Sequence, residues 1–313
     1  MHKGELAALL GRVPRRAPYR KYLMASYADN TKRAYQSDIE HFKRWGGRVP
    51  STAMQVAQYL AAFAGKLAYA TLSRRLAAIH HEHVLRGSRS PARTALVRAT
   101  LRGIARTYSR RQRQVKPLLR EQIAKMLPRM RGALGTRDRA VLLMGFLGGF
   151  RRSELASLDY EHITLGSAGM VVTISRSKTD QEGLGRAVTI PRLMSPLCPT
   201  KAVECWLKLR GAKPGPLFTA ITPMGAVTTN RLSGLSIAEA VKRRVAQIGL
   251  DPRNYSGHSL RSGFVTSAAR AGASAWQIKQ QTGHKSDAVL ARYIREGVSE
   301  GASVVRLVAQ RLN

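Results

Sequence analysis

The stretch GHSLRSGFVTSAARAGASAWQIKQQTGHKSDAVLARYI (257–294) carries more of the fold and the chemistry than any other. Its apolar spacing predicts helices over 259–271, 275–282 and 287–295. His258 and Arg261 stand three apart at the start of the first helix, so they share a face. At a helix N-terminus the dipole disfavours a protonated imidazole, which helps keep His258 available as a base. His284 follows Thr282-Gly283, and Tyr293 comes nine residues after His284.

Upstream, the pattern predicts helices near 119–128 and 137–149, a short one from Arg152, and others near 200–210 and 231–248. Two runs rich in Val, Ile and Thr, 170–175 and 186–190, read as a strand pair, with 176–185 as the hairpin tip. Beyond Tyr293, residues 302–312 can form a last amphipathic helix with Val304, Val305, Val308 and Leu312 on one side. Toward the N-terminus, residues 1–20 are basic and poorly periodic, a loose arm. Asp29-Asn30-Thr31 is a capping signal for a helix carrying Tyr35, Ile39, Phe42 and Trp45, stopped by Gly46-Gly47. Ser51-Thr52 opens a second helix with Met54, Val56, Tyr59, Leu60 and Phe63 turned inward, and helices over 71–85 and 92–108 follow. Four short amphipathic helices read as a small bundle. Their outward faces are expected to carry Lys32, Arg33, Lys43, Arg44, Arg74, Arg75, Arg98, Arg102 and Arg106.

The run 107–117 (TYSRRQRQVKP) is polar, dense in Arg and closed by Pro, the best linker in the chain. The expected organisation is therefore a basic arm (1–20), a helical domain (21–108), a linker (109–117) and a second domain (118–313). The fold class is mainly α with a small antiparallel β-sheet, the second domain being α+β.

The chain has 313 residues, 44% hydrophobic, with 53 Lys+Arg against 18 Asp+Glu and a formal net charge of +35. That much apolar content excludes a disordered basic tail. The longest near-apolar stretch, 140–150, falls far short of the ~20 residues of a membrane helix. The N-terminus has no secretory pattern, and Cys198 and Cys205 cannot form a disulfide framework or a four-ligand zinc site, so a reducing, cytoplasmic setting is expected. Such charge calls for a polyanion, nucleic acid first. Residues 1–117 carry +19 and the remainder +16, which suggests a clamp rather than a tail on a neutral enzyme.

There is no GxxxxGK[ST], no HExxH and no CxxC, and the carboxylates are scattered singly, so neither nucleotide nor metal cofactor is expected. His80, His81 and His83 read as a helix face rather than a metal site. Metal-free attack on a phosphodiester needs a nucleophile, a proton for the leaving oxygen, and cations for the charge of the pentacoordinate transition state. Arg suits the last task, with a planar fork that grips phosphate oxygens and keeps its charge. The second half of the chain offers such a set in order: Gly149-Phe150-Arg151-Arg152-Ser153-Glu154-Leu155, Ser177-Lys178-Thr179, His258-Ser259-Leu260-Arg261, Gly283-His284 and Arg292-Tyr293.

This ordered set resembles the tyrosine recombinase (phage integrase) family, including its Cre-like site-specific recombinases. That family's pattern is an Arg in a GxRxxEL context, a hairpin Lys, HxxR, a His or Trp after Gly, and a Tyr nine residues on. The resemblance spans the whole chain and implies a four-helix, SAM-like core-binding domain, a basic linker and a catalytic domain ending in an oligomerisation helix. It further implies that Arg151 and Arg261 hold a scissile DNA phosphate. Tyr293 would attack it to give a 3′-phosphotyrosyl link, Lys178 would protonate the 5′-oxygen, and His258 would take the tyrosine proton. His284 would hydrogen-bond the phosphate, and Glu154 would buttress Arg151 and the His258 region. Arg151 is preferred to Arg152 on the family register, and Arg176 is the nearest competitor to Lys178. The implied partners are duplex DNA with an inverted-repeat site and other copies of the chain, as a tetramer on two sites, with no membrane. DNA contacts are expected from Lys32, Arg33, Lys43, Arg44, Arg74, Arg75, Arg110, Arg111 and Arg113. The alternatives are a telomere resolvase or type IB topoisomerase-like enzyme with the same chemistry, or a non-catalytic architectural DNA-binding protein.

Overall fold

The computed structural model describes residues 22, 29–108, 115–174 and 185–284. The chain divides into two compact units, Met1–Arg113 and Gln114–Asn313, each with its own apolar core.

The first unit is helical: α1 (Asp29–Arg44), α2 (Ala53–Ala62), α3 (Tyr69–Leu85) and α4 (Ala95–Tyr108), with a 3-10 turn at Pro91–Arg93 before α4. Thr52 caps α2, its side chain accepting from the Gln55 amide at 3.2 Å. Phe42, Val56, Tyr59, Leu60, Leu72, Ile79 and Val97 close the core with no exposed surface. Met54 does not join them and is 58% exposed. Two residues before Val56, it falls on nearly the opposite side of a helix that turns about 100° per residue.

The second unit runs α5 (Arg120–Met126), α6 (Gly132–Leu147), α7 (Arg152–Ser157), β1 (Ile163–Gly166), β2 (Gly169–Ile174), β3 (Arg186–Pro191), α8 (Pro199–Arg210), β4 (Thr219–Ile221), β5 (Val227–Arg231), α9 (Gly234–Ala246), α10 (His258–Arg270) and α11 (Ala275–Thr282). Helix α6 is the centre. Ala140 to Met144 are fully buried, and the helix is apolar nearly all round because α8, α9 and α10 pack on it. Its one buried carboxylate, Asp138, is held by Arg137 at 2.8 Å and by Arg244 of α9 at 2.7 Å, so the charge is paired rather than stranded. The antiparallel sheet has the order β1-β2-β3, with Met170 opposite Ile190 and Val172 opposite Val188.

Beyond the expected strand pair, the structure adds β1 and the hairpin β4–β5. These strands leave most side chains partly or fully exposed, so no period-two apolar pattern marks them. Helix α9 starts three residues later than its pattern suggests, because 227–231 pair as β5 and Ser233 supplies the cap, accepting from the Ser236 amide at 3.0 Å.

Candidate active site

Three chain segments of the second unit converge on one cationic cluster. The first is the turn from α6 into α7. Arg151 stands just before α7, and Glu154, three residues on and 2% exposed, reaches back to it. One carboxylate oxygen accepts from the Arg151 amide at 2.8 Å, the other from its guanidinium at 2.6 Å. This explains the spacing: an N-terminal turn of helix brings a carboxylate at the third position onto the residue that opens it. Arg152 instead is exposed and lies across Gly257, where a Cβ would stand 2.8 Å from its Cδ.

The second segment is the start of α10. His258 opens this helix and Arg261 is one turn later, 1% exposed. The Arg261 guanidinium donates to the carbonyls of Gly149 and Thr282, at 2.7 and 2.6 Å. A buried cation held by carbonyl dipoles keeps its field undamped by water.

The third segment is the C-terminus of α11. Gly283 turns left-handed there (φ +65°), a conformation that favours glycine, and so exposes the last carbonyls of the helix. Three consecutive carbonyls each take a different guanidinium: Gln281 accepts from Arg186 at 2.6 Å, Thr282 from Arg261 at 2.6 Å, and Gly283 from Arg151 at 3.1 Å. Helix C-termini carry orphan acceptors and partial negative charge, which is why cations collect there.

His284 follows directly. Its Nδ1 lies 2.6 Å from the Thr282 hydroxyl, which also lies 2.6 Å from the Ile278 carbonyl. A hydroxyl has one hydrogen, and the carbonyl can only accept. Thr282 therefore donates to Ile278, His284 donates through Nδ1, and the neutral ring presents Nε2 as an acceptor. Burial first, then Arg261, Arg151, His258 and Arg186, push the His284 pKa down to about 3. His258 is lowered too, by crowding among protein atoms first and then by Arg261, Arg151 and Arg152. The residue as a whole is nonetheless exposed to solvent.

Arg151, Glu154, His258, Arg261 and His284, far apart in sequence, are thus brought to one place. Glu154 spends its second contact on Arg186, at 3.3 Å, where the resemblance points it to the His258 region. Arg186, the first residue of β3, carries no motif, and its guanidinium lies 5.9 Å over the Phe150 ring. The only signal for it in the sequence is a lone Arg at the head of an apolar strand. Lys178, its competitor Arg176, and Tyr293 lie outside the described residues, as do the arm, Arg110, Arg111, Arg113 and 302–312.

In the first unit Arg33, Lys43 and Arg44 are exposed and Lys32 is half-buried. Arg74 is 52% exposed and anchored by Asp38 through two hydrogen bonds of 2.8 and 2.9 Å. Arg75 corrects the expectation of an outward side chain. It is 11% exposed and turns in to Asp38, to His41 at 3.0 Å and to the Tyr59 hydroxyl at 3.2 Å. The buried Asp38 carboxylate needs a second cation on its inner side. His83 is likewise internal, its Nε2 accepting from the Ser51 amide at 2.9 Å. Among the described residues no group of three or more His, Cys, Asp or Glu could hold a metal ion, and no helix is long and apolar enough to cross a membrane.

The profile of the phage integrase family matches residues 116–300, which hold the whole of this cluster. The chain belongs to that family. It is accordingly a tyrosine recombinase, of an enzyme class that transfers DNA strands. An integrase/recombinase xerD homolog from Selenomonas ruminantium is 35% identical over 289 residues, covering 89% of this chain and 85% of its own. The recombinase cre of Escherichia phage P1 is 26% identical over 286 residues, covering 85% and 81%. Lambda integrase shares the fold. Its dimer bound to a COC′ core site has a TM-score of 0.61 at 18% identity, over 91% of this chain and 77% of that one. Its tetramer bound to a Holliday junction has 0.57 at 15%, over 92% and 75%.

Proposed function

We propose that this tyrosine recombinase is a site-specific enzyme that cuts and rejoins duplex DNA through a 3′-phosphotyrosyl intermediate, working as a tetramer on two inverted-repeat sites. The observation that carries the proposal is the convergence of Arg151, itself fixed by a buried Glu154, with Arg261, His258 and His284. The guanidiniums hold the non-bridging oxygens and offset the charge of the pentacoordinate state. The Tyr293 oxygen forms the new bond to phosphorus as the bond to the 5′-oxygen breaks. His258, kept neutral by its surroundings, takes the tyrosine proton, which a free phenol with a pKa near ~10 would otherwise hold. Lys178 gives a proton to the departing 5′-oxygen. His284 offers Nε2 as an acceptor in the free enzyme, so hydrogen bonding to the phosphate requires it to gain a proton, which the phosphate's own charge favours. The phosphotyrosyl link conserves the energy of the broken bond, so religation calls for neither nucleotide nor metal. Exchange between two duplexes takes four cuts. The likeness in fold to a recombinase tetramer on a Holliday junction supports four protomers.

Nicked duplexes drawn from a random-sequence pool test this. The wild-type chain is expected to become covalently attached to a subset, leaving 5′-hydroxyl ends, and the recovered sequences should show an inverted repeat. Tyr293→Phe should bind the same sequences and form no adduct. An adduct persisting in that variant removes Tyr293 as the nucleophile, and no adduct with the wild type removes the reaction.

A further inference from the structure

Arg186 is the member of the cluster that the family resemblance does not supply. It joins three things. One arm of its fork donates to the Gln281 carbonyl at 2.6 Å, the other reaches Glu154 at 3.3 Å, and the guanidinium covers Phe150. Glu154 is the carboxylate that fixes both the amide and the guanidinium of Arg151. The left-handed turn at Gly283 closes directly on Arg186, where an added Cβ would stand 3.0 Å from Nε. One buried carboxylate thus serves two guanidiniums, and both are also tied to the end of α11.

We propose that Arg186 is a positioning residue for strand transfer. By bridging Glu154 to the end of α11, it fixes the carboxylate that aims Arg151 and the turn that carries His284. Without Arg186, the Glu154 oxygen that accepts from the Arg151 amide loses its second donor, and with it the carboxylate loses its tie through Arg186 to the end of α11. The Gln281 carbonyl, at the end of a short helix, loses its donor as well. Misplacing a phosphate-binding fork by an ångström is worth about 100-fold in rate. Lysine is no equivalent, since one ammonium replaces a planar fork that spans two acceptors. Burial lowers the Arg186 pKa and Glu154 opposes that shift, consistent with a cation placed to serve a neighbour.

The inference rests on the strand-transfer reading, and its test starts from a nicked duplex already captured covalently by the wild-type chain, so failure of that reading shows first and separately. Dissociation constant and single-turnover cleavage rate are then measured for Arg186→Ala, Arg186→Lys, Glu154→Gln and the double variants with Glu154→Gln. Arg186→Ala is expected to bind within about twofold of wild type and to cleave about 10- to 100-fold more slowly. Adding it to Glu154→Gln should cost little more, because both act through Arg151. Arg186→Lys should recover only part of the rate. Four results overturn the proposal: an unchanged cleavage rate, a loss confined to binding, full recovery with lysine, or losses that multiply in the double variant. If the alanine variant melts below the assay temperature, Arg186→Lys and its combination with Glu154→Gln decide by the same criteria.

Discussion

At the residue scale, the two histidines matter through the protons they refuse. An unfolded histidine titrates near ~6.5, while His284 in the fold is held at about 3 and His258 is also lowered. Between those limits the unfolded chain binds protons that the folded chain does not. Stability from these residues is therefore fully present above ~6.5 and drains away as pH falls toward 3. The melting temperature of the wild type should drop between pH 7 and pH 5 by more than that of His284→Gln. Equal drops would show that the fold does not hold this ring neutral. Lys178 calls for a chemical test. A substrate with a bridging 5′-phosphorothiolate has a leaving group that needs no proton. It should restore cleavage to Lys178→Ala but not to Arg151→Ala or Arg261→Ala, and a Lys178 variant that stays inactive on it has lost something other than an acid.

At the element scale, α11 has only eight residues yet anchors three guanidiniums at its C-terminus. A helix so short depends on its caps. Ser274 accepts from the Gln277 amide at 3.2 Å while the Gln277 side chain accepts from the Ser274 amide at 2.8 Å. Ser274→Ala should cost about 1 kcal/mol of stability, read from denaturant midpoints, and should also slow cleavage. Thr52→Ala, which removes the cap of α2 in the other unit, should cost a similar amount and leave the cleavage rate of bound DNA unchanged. If both variants cleave like wild type, the end of α11 does not depend on its beginning.

At the scale of the whole molecule, charge is the governing quantity. A chain of +35 with basic residues throughout both units should bind DNA with an affinity that falls steeply as salt rises. Each unit has its own apolar core, so removing residues 1–113 should leave the second unit folded. That fragment should bind more weakly and show a shallower slope of log affinity against log salt. An unchanged slope would mean that the cations of the first unit, Arg33, Lys43, Arg44 and Arg74 among them, do not meet phosphates.

The sequence alone determined the mainly helical class, because helix periods, caps and stops are local and repeat every few residues. It also set the order of Arg151, Glu154, His258, Arg261 and His284, whose types and spacings are a pattern in one dimension. Only the tertiary structure decided which side chains share an acceptor. Arg75 looks like any outward arginine until Asp38 is found buried beneath it. Arg186 looks like the edge of a strand until the end of α11, 95 residues away, is brought against it. The short strands β1, β4 and β5 were invisible for a related reason, since pairing rather than burial creates them. Local physics is written in neighbouring residues, whereas a hydrogen bond or ion pair across the fold depends on a partner whose position no stretch of sequence specifies.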